Sequence, residues 1–292
     1  MVLSMTGFGR GKAEDANREV NVELKTINHR YLDVNLRMPR CMSVLEDDAK
    51  KRIQQVITRG RVEVYVGYKN KAQDQIVVSV NEPVANAYRK AFQTLAEKFG
   101  IEDKPDLAVL SGIADIFTVT EPEEDEDTLR SLLISALDGA LQVLMRMRER
   151  EGQFLMEDLL ERSITINGMV DAIEERSPLV VEDYRRKLDQ RLKDLLKSTD
   201  LEETRFNMEV AYFADRSNIT EEIIRLRSHI GQLQQTLKAG GPVGRKLDFL
   251  VQEMNREANT IGSKASDLII ANQVVAIKSE IEKIREQVQN LE

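Results

Sequence analysis

Regular alternation of apolar and polar side chains predicts three β-strands within the first seventy residues. Residues 18–26, 31–38 and 62–68 place an apolar side chain at every second position, which is the period of a half-buried strand. Asn28 and His29 lie between the first two runs at hairpin distance, which favours a two-stranded unit. Residues 45–57 have helical apolar spacing, so the predicted order is strand, strand, helix, strand. The alternating apolar positions are Val20, Val22, Leu24, Leu32, Val34, Leu36, Met38, Val62, Val64, Val66 and Tyr68.

Helical patterns dominate the chain beyond residue 82. Residues 83–99 begin with a proline, whose missing N–H costs nothing in a first helical turn. Residues 128–197 form a long helical region that Gly152, Gly168 and the pair at 177–178 are expected to interrupt. The acidic run at residues 121–127 is interpreted as a solvated loop that leads into this region. These segments predict extended helical arms.

The last helix carries an apolar stripe that is typical of a coiled coil. Its residues step by 3, 4, 3, 4 and 3 positions and are flanked by charged side chains. A stripe of about two and a half heptads can pack inside its own domain or between subunits, and the pattern leaves both arrangements open. The stripe consists of Val274, Ile277, Ile281, Ile284, Val288 and Leu291.

Together these patterns predict an α+β fold. It comprises a small N-terminal α/β domain with a short mixed sheet, then long helices, then a C-terminal helical domain with a coiled-coil-like last helix. We assign residues 1–155 to the N-terminal domain, 156–205 to a helical connector and 206–292 to the C-terminal domain that carries the candidate site. A chain of 292 residues is long enough for two domains.

Cysteine content and charge narrow the function classes. The single cysteine, Cys41, excludes an internal disulfide and a zinc knuckle, which favours a reducing compartment. No signal sequence and no apolar stretch of about 18 residues is found, so we expect a cytoplasmic protein without a membrane partner. The net charge of −8 argues against coating of nucleic acid, but residues 1–70 hold 13 Lys/Arg against 9 Asp/Glu, a net of +4. Any polyanion is therefore expected to meet a local basic patch.

Two helical segments before the stripe carry more polar groups than packing requires. In residues 218–237, Glu222 and His229 are seven positions apart and share a face, which suits a metal or a proton. A surface glutamate and an unrelated packed imidazole are the commoner arrangement. Residues 244–261 place one apolar stripe against a core and gather arginine, carboxylate and amide groups opposite it. Those groups are Arg245, Asp248, Gln252, Glu253, Arg256 and Asn259, with Glu257 at the margin.

This mixture suits a phosphodiester and a divalent cation. Cleavage needs neutralised phosphate oxygens and an activated nucleophile, and Mn²⁺ or Mg²⁺ held by carboxylates supplies both. Glu253 and Glu257 are i,i+4 and can share one ion, whereas Asp248 lies about 140° around the helix from Glu253. We therefore expect His229, Glu253 and Glu257 to be the catalytic residues and metal ligands. Asp248 is either a ligand or an arginine partner, and Glu222 is a further candidate ligand.

Other chemistries have weaker support in the sequence. There are only two histidines, no nucleophilic triad is recognisable, and the glycine-rich phosphate loop with Lys and Ser or Thr is missing. Residues 7–11, Gly-Phe-Gly-Arg-Gly, are interpreted as a flexible turn that leaves Arg10 available for RNA. His29 is either an acid or base for metal-free RNA cleavage or a bystander in the predicted hairpin.

Motifs at both ends of the chain resemble the YicC/YloC family. They are SMTGFGR at residues 4–10, INHRYL at 27–32, RGRVE at 59–63, and GRKLDF continuing to QEMNREANTIGSK over 244–264. The resemblance implies an endoribonuclease that requires a divalent cation, forms a hexamer-like ring or channel, and acts on single-stranded or small regulatory RNA.

The resemblance also implies roles for individual residues. It places metal and phosphate chemistry on His229, Asp248, Glu253, Arg256 and Glu257. One alternative is a non-catalytic RNA-binding adaptor that recruits another RNA-decay enzyme, and another is a coiled-coil scaffold. The residues expected to contact the RNA backbone are Arg10, Arg30, Arg59, Arg61, Arg245, Arg256 and Lys264.

Overall fold

The computed structural model describes residues 2–71, 77–100, 107–113, 115–120, 125–196, 203–241 and 243–292. Its strands are β1 Gly7–Glu14, β2 Arg18–Ile27, β3 Leu32–Arg37, β4 Gly60–Asn70, β5 Val77–Val80 and β6 Phe117–Thr120. Its helices are α1 Glu46–Val56, α2 Glu82–Phe99, α3 Leu107–Ser111, α4 Glu126–Leu196, α5 Glu203–Arg216, α6 Thr220–Ala239, α7 Gly244–Lys264 and α8 Leu268–Val288. The predicted α+β class, with its short mixed sheet, is confirmed.

The first four strands form one sheet in the order β1-β2-β4-β3. Strands β1, β2 and β4 are antiparallel neighbours, and β3 is parallel to β4. The predicted alternation is visible in the register, where Val22 lies opposite Val66 and Leu24 opposite Val64. All four side chains are buried against the helical layer formed by α1 and α4.

The predicted hairpin at Asn28 and His29 is wrong. Strands β2 and β3 both pair with β4, which lies between them. Because α1 connects β3 to β4 as a crossover, these two strands are parallel, and β4 takes the place beside β2 that a hairpin would have given to β3. Asn28 instead donates from Nδ2 to the backbone oxygen of Gln289, 2.7 Å away.

The glycine-rich segment at residues 7–11 is the start of strand β1, which corrects the prediction of a flexible turn. Its three glycines face α4 in alternation. A Cβ atom at Gly9 would overlap the backbone oxygen of Ala140, and one at Gly11 would overlap that of Ala136. The glycines therefore allow the strand to pack directly on the helix backbone.

Helix α4 continues through every predicted interruption and spans 71 residues, about 105 Å at 1.5 Å per residue. Gly152 lies where the backbone of Val2 crosses the helix, so a close approach explains it. Pro178 removes one backbone hydrogen bond of the helix because it has no N–H. Arg176 and Asp183, on either side of the proline, form an ion pair at 2.6 Å. The predicted domain limit at residue 155 lies inside this helix.

A second core joins α4, α6, α7 and α8. The whole apolar stripe of the last helix is buried in this core, so it packs within its own chain. The start of the chain closes the bundle, because Met5 donates its N–H to the backbone oxygen of Asn290, 2.8 Å away, and Ser4 pairs with Leu291.

One helix among the described residues, Glu126–Asp194, is long and apolar enough by composition to cross a membrane. A core helix of a soluble protein passes the same test. In α4, Leu133, Leu137 and Leu144 are buried against the sheet, which accounts for its apolar content.

Candidate functional site

Helices α6 and α7 form the antiparallel hairpin that carries the candidate site. The turn between them uses Gly240 and Gly241 at positive φ, 71° and 83°. Apolar side chains on both helices hold the hairpin against the core, and the first turn of α6 meets the last residue of α7. This packing brings the middle of α6 opposite the second half of α7.

His229 of α6 meets Glu253 and Glu257 of α7 in that region. One donor atom from each of these three residues lies within 4.8 Å of the other two. Glu257 is buried with 4% of its surface exposed, whereas His229 and Glu253 are half-buried. The Nδ1 atom of His229 is buried and has no hydrogen-bond partner among the described residues. We call these three residues the metal cluster, a name for the group of side chains and not for bound ions.

The donor set and spacing of the metal cluster fit one divalent cation. Donors on one ion are at most about 4.4 Å apart, twice a bond of about 2.2 Å, and donor atoms within 4.8 Å of one another are close to that limit. A bound ion would neutralise two adjacent carboxylates. Glu253 is also 3.7 Å from Arg256, whose side chain is 72% exposed.

Glu222 lies outside the metal cluster. Its carboxylate accepts a hydrogen bond from Nζ of Lys264 at 2.7 Å, and the same ammonium group donates to the backbone oxygen of Asn218 at 3.2 Å. Burial has the largest single effect on the pKa of Glu222 and raises it, but the hydrogen bond from Lys264, a backbone hydrogen bond and the charges of Lys264 and Arg225 together outweigh burial, so the pKa is lowered from 4.5. Glu222, a predicted metal ligand, and Lys264, a predicted RNA contact, therefore form an ion pair with each other.

Asp248 is also separate from the metal cluster. Its carboxylate accepts a hydrogen bond from Nε2 of Gln252 at 2.9 Å. It lines a cavity of about 280 Å³ between the sheet domain and the start of α7, together with Asn28, Arg59 and Arg245. Two of the predicted RNA contacts, Arg59 and Arg245, are thus brought together although 186 positions separate them.

Comparison with known proteins places the whole chain in one family. The model of the "Endoribonuclease YicC-like, N-terminal region" matches residues 2–157, and that of "Endoribonuclease YicC-like, C-terminal" matches residues 173–292. The chain belongs to the YicC-like endoribonuclease family. A relative from Clostridioides difficile strain 630, named probable endoribonuclease YicC, is 46% identical over 293 residues, covering 100% of both chains. A Haemophilus influenzae relative of the same name is 32% identical over 292 residues, again covering 100% of both.

The remaining predicted RNA contacts of this YicC-like chain lie on the sheet domain. Arg10 is 3.5 Å from Glu23, and Arg61 is 3.4 Å from Glu63, on the sheet face opposite the helices. Both arginines therefore have carboxylate partners, with which an RNA phosphate would have to compete. The guanidinium group of Arg30 lies 5.4 Å from the ring centroid of Tyr31.

His29 occupies the loop of the YicC-like chain beside the Arg59 cavity. Its Nδ1 lies 3.0 Å from the backbone oxygen of Tyr31, and its own backbone oxygen accepts a hydrogen bond from Nε of Arg59 at 3.2 Å. His29 is not one of the three residues that form the metal cluster, all of which are on α6 and α7.

Sequence reasoning missed part of the polar surface of α7. A cavity of about 400 Å³ lies beside α7 and is lined by Asn255 and by Arg285 of α8. Asn255 is one turn from Asn259 and is not part of the apolar stripe of α7. Its position in the sequence therefore already indicated that it belongs to the polar face. The local sequence pattern could not predict that Arg285 lines this cavity, because its position depends on how α8 packs against α7. The predicted groups in the same cavity are Gln252, Arg256 and Asn259.

Proposed function

We propose that this chain is a divalent-metal-dependent endoribonuclease that cleaves single-stranded or small regulatory RNA. Membership of a family named for endoribonuclease activity supports the reaction class. The observation that carries the metal requirement is the convergence of His229, Glu253 and Glu257 within 4.8 Å. The buried, unpartnered Nδ1 of His229 supports it further, because a buried polar atom without a partner costs free energy unless a ligand satisfies it.

The three residues of the metal cluster would hold the cation, and neighbouring groups would hold the RNA. When bound, the cation supplies Lewis-acid neutralisation at the scissile phosphate. Arg256 stands beside Glu253 with its guanidinium group largely in solvent, where it can bind a phosphate oxygen. Glu257 is buried beside His229 and Glu253, so its role would be to hold the ion.

The donor chemistry favours Mn²⁺ over Mg²⁺. Mg²⁺ binds almost wholly through oxygen atoms and keeps several waters, whereas Mn²⁺ accepts an imidazole nitrogen among carboxylate oxygens. The metal cluster offers one imidazole and two carboxylates. We therefore expect the chain to bind Mn²⁺ more tightly.

We propose that an RNA strand lies along the polar face of α7. Two cavities line that face, one holding Arg59 and Arg245 and the other holding Arg256 and Arg285. Arg256 lies between this face and the metal cluster, since it also contacts Glu253. Arg245 and Arg256 belong to α7, and the other two arginines reach its polar face from neighbouring elements. A row of guanidinium groups suits the repeated phosphates of a single strand.

We also propose that the chain is a homo-oligomer. Helix α2 has no buried residue in the single chain although one face is apolar, and Phe99 is 71% exposed. Neighbouring elements add to the exposed apolar surface, which suits a second copy of the chain. Sedimentation of the wild type against Leu95→Glu tests this, because a charge on that face should dissociate the assembly. The exposed apolar residues are Tyr88, Leu95, Phe99, Leu107 and Phe117.

The deciding experiment combines metal dependence with a matched pair of substitutions. An end-labelled single-stranded RNA is incubated with purified protein in Mn²⁺, in Mg²⁺ and in EDTA. We expect cleavage with Mn²⁺, weaker cleavage with Mg²⁺ and none in EDTA. Glu257→Gln should reduce the rate by about a hundredfold or more, whereas Glu286→Gln, an exposed glutamate on α8, should leave it unchanged.

Two outcomes would overturn the proposal. Equal cleavage in EDTA would remove the metal requirement. Salt-sensitive RNA binding without cleavage under any metal would favour the adaptor that recruits another RNA-decay enzyme. A cytoplasmic location stays a prediction that cell fractionation tests.

A further inference from the structure

A cavity of about 620 Å³ lies between α4 and the end of α6, and the proposed nuclease function does not use it. Its floor is apolar and includes Val2, Met156 and Leu237. Its rim carries Arg146 and Arg150 of α4 and Lys238 of α6. None of the three residues of the metal cluster lines it.

The floor of this cavity is held in place by the core. Leu237 is 1% exposed and Val2 is 4% exposed, and both belong to the core of the helical bundle. Gly152 allows the backbone at residue 2 to press onto α4, since a Cβ atom there would overlap the Val2 oxygen. The cavity is therefore a fixed feature of the packing between the start of the chain and two helices.

The three positive charges at the rim of the cavity repel one another. Arg146 and Arg150 are one helical turn apart, where like charges repel, and Lys238 adds a third positive charge. None of the three forms an ion pair with a described residue, although Glu149 also lines the cavity. By contrast, Arg162 of the same helix contacts two carboxylates. Three unpaired cations converging on one concave surface indicate an anionic ligand.

The guanidinium group of Arg150 is partly fixed in position. It lies over the ring of Phe154, 5.8 Å from the centroid, which restricts its rotation. A guanidinium group presents a planar fork of N–H donors that matches phosphate, and two of them with an ammonium group can bind its oxygens together. Phosphate is thus the anion that the rim suits best.

We propose that this cavity binds a nucleoside phosphate, with the phosphate at the rim and the base on the apolar floor. Inorganic phosphate alone would leave the floor uncovered, whereas pockets of about 300–1,000 Å³ usually bind ligands that combine an apolar body with a few polar groups. Glu149 and Gln153 line the same cavity and offer polar atoms to the edge of a base. A free nucleotide and the phosphorylated end of an RNA share this chemistry.

Calorimetric titration of the full chain in EDTA tests the site without the metal cluster. The probes are AMP, CMP and inorganic phosphate. We expect both nucleotides to bind more tightly than phosphate. The double substitution Arg146→Ala/Arg150→Ala should weaken nucleotide binding by about tenfold or more. Lys187→Ala/Arg191→Ala removes the same charge at the same spacing from an exposed face of α4 and should bind as the wild type does.

A second arm distinguishes the two sources of the ligand. Two RNA oligonucleotides differ only in a 5′-phosphate or a 5′-hydroxyl group. Tighter binding of the phosphorylated RNA, lost in Arg146→Ala/Arg150→Ala, identifies an RNA end, and equal binding of both RNAs with retained AMP binding identifies a free nucleotide.

Three results would overturn the proposal: no heat from either nucleotide, equal affinities for phosphate and AMP, or unchanged affinity in Arg146→Ala/Arg150→Ala. All four substituted side chains are exposed, so unchanged thermal unfolding is expected to show that the variants fold. Because the titration contains EDTA, failure here leaves the metal-dependent nuclease proposal untouched.

Discussion

Arg148, in the first half of α4, forms an ion pair with the side chain of Glu292 beyond the end of α8. Its guanidinium group is almost wholly buried and also donates from Nε to the backbone oxygen of Ser4, 2.5 Å away. One arginine therefore connects the start of the chain, its long helix and its last residues.

Replacing Arg148 should destabilise the fold strongly. Arg148→Met would leave Glu292, which is 16% exposed, without its partner, and loss of one member of a buried pair costs about 3–5 kcal/mol. Urea unfolding measures the change in the free energy of unfolding. Arg52→Met is the control, because the Arg52 and Asp138 side chains are 39% and 34% exposed and the loss of such a pair should cost at most about 1 kcal/mol. Equal changes in both variants would contradict the structural role of Arg148.

Glycine substitutions should act in opposite directions at two sites. Gly9→Ala should destabilise by about 1–3 kcal/mol, because its Cβ atom would overlap the α4 backbone. Gly168→Ala should stabilise by about 0.5–1 kcal/mol, since nothing lies within 4 Å and alanine favours a helix interior. Thermal and urea unfolding of both variants check the pair. Stabilisation by Gly9→Ala would show that β1 does not pack on α4 as described.

The Glu222–Lys264 ion pair predicts a pH-dependent contribution to stability. Since the pKa of Glu222 is lowered from 4.5 in the fold, the pair stabilises above about pH 4.5, and this contribution is lost as the pH falls through the folded pKa. Lys264→Met should cost about 1–2 kcal/mol at pH 7, a value reduced because Lys264 is 37% exposed.

The difference in unfolding free energy between wild type and Lys264→Met should shrink at pH 3, where Glu222 is protonated in the variant. Denaturant titrations at both pH values measure it. A difference that stays constant or grows on acidification would show that charge is not the cause. Lys278→Met, an exposed lysine on α8, serves as the control.

Metal removal should reverse the stability order of wild type and Glu257→Gln. In EDTA the variant should be as stable as the wild type or more so, because adjacent carboxylates at positions 253 and 257 repel each other. At Mn²⁺ a hundredfold above Kd, the wild type should gain about 2.7 kcal/mol and the variant should gain little. Differential scanning fluorimetry follows both, and equal Mn²⁺ shifts would place the ion elsewhere.

Arg256→Ala should weaken RNA binding without weakening metal binding. Loss of one phosphate contact lowers the slope of log affinity against log salt by about 0.7 for a single strand. Mn²⁺ affinity should be unchanged, because Arg256 contacts Glu253 only at 3.7 Å and adds no donor. Binding titrations at several salt concentrations measure the slope, and Arg186→Ala on α4 is the control. An unchanged slope would exclude Arg256 from the RNA contact.

Local sequence patterns predicted the position of each strand or helix that buries one face against a core. Alternation located β2, β3 and β4, and the spacing of Val274 and Ile281 located α8, because one face of each element packs on a core. The pairing of Glu253 with Glu257 also follows from one helical turn. His229 lies within 4.8 Å of both because its helix and theirs form a hairpin with a short turn.

Features that depend on distant packing were not predictable. Glycine has no side chain and so gives no alternation of apolar and polar positions. Strand β1 could therefore not be predicted from the sequence, because Gly9 and Gly11 are buried only by their contact with α4. The continuity of α4 through Pro178 depends on tertiary contacts that outweigh local preference. The separation of Glu222 from the metal cluster depends on Lys264, 42 residues away, which no single-helix argument includes.

The pairing of residues 3–5 with residues 290–292 closes one very long loop of the chain. Leu3 exchanges backbone hydrogen bonds with Glu292 at 3.1 and 2.8 Å. Nearly all the described residues lie between these two partners, so the sheet and the α6–α7 hairpin are both inside the loop that the contact closes. Because the entropy of closing such a loop is lost before the contact forms, the local contacts of the sheet and the hairpin are expected to form first, and the pairing of residues 3–5 to complete the bundle late in folding.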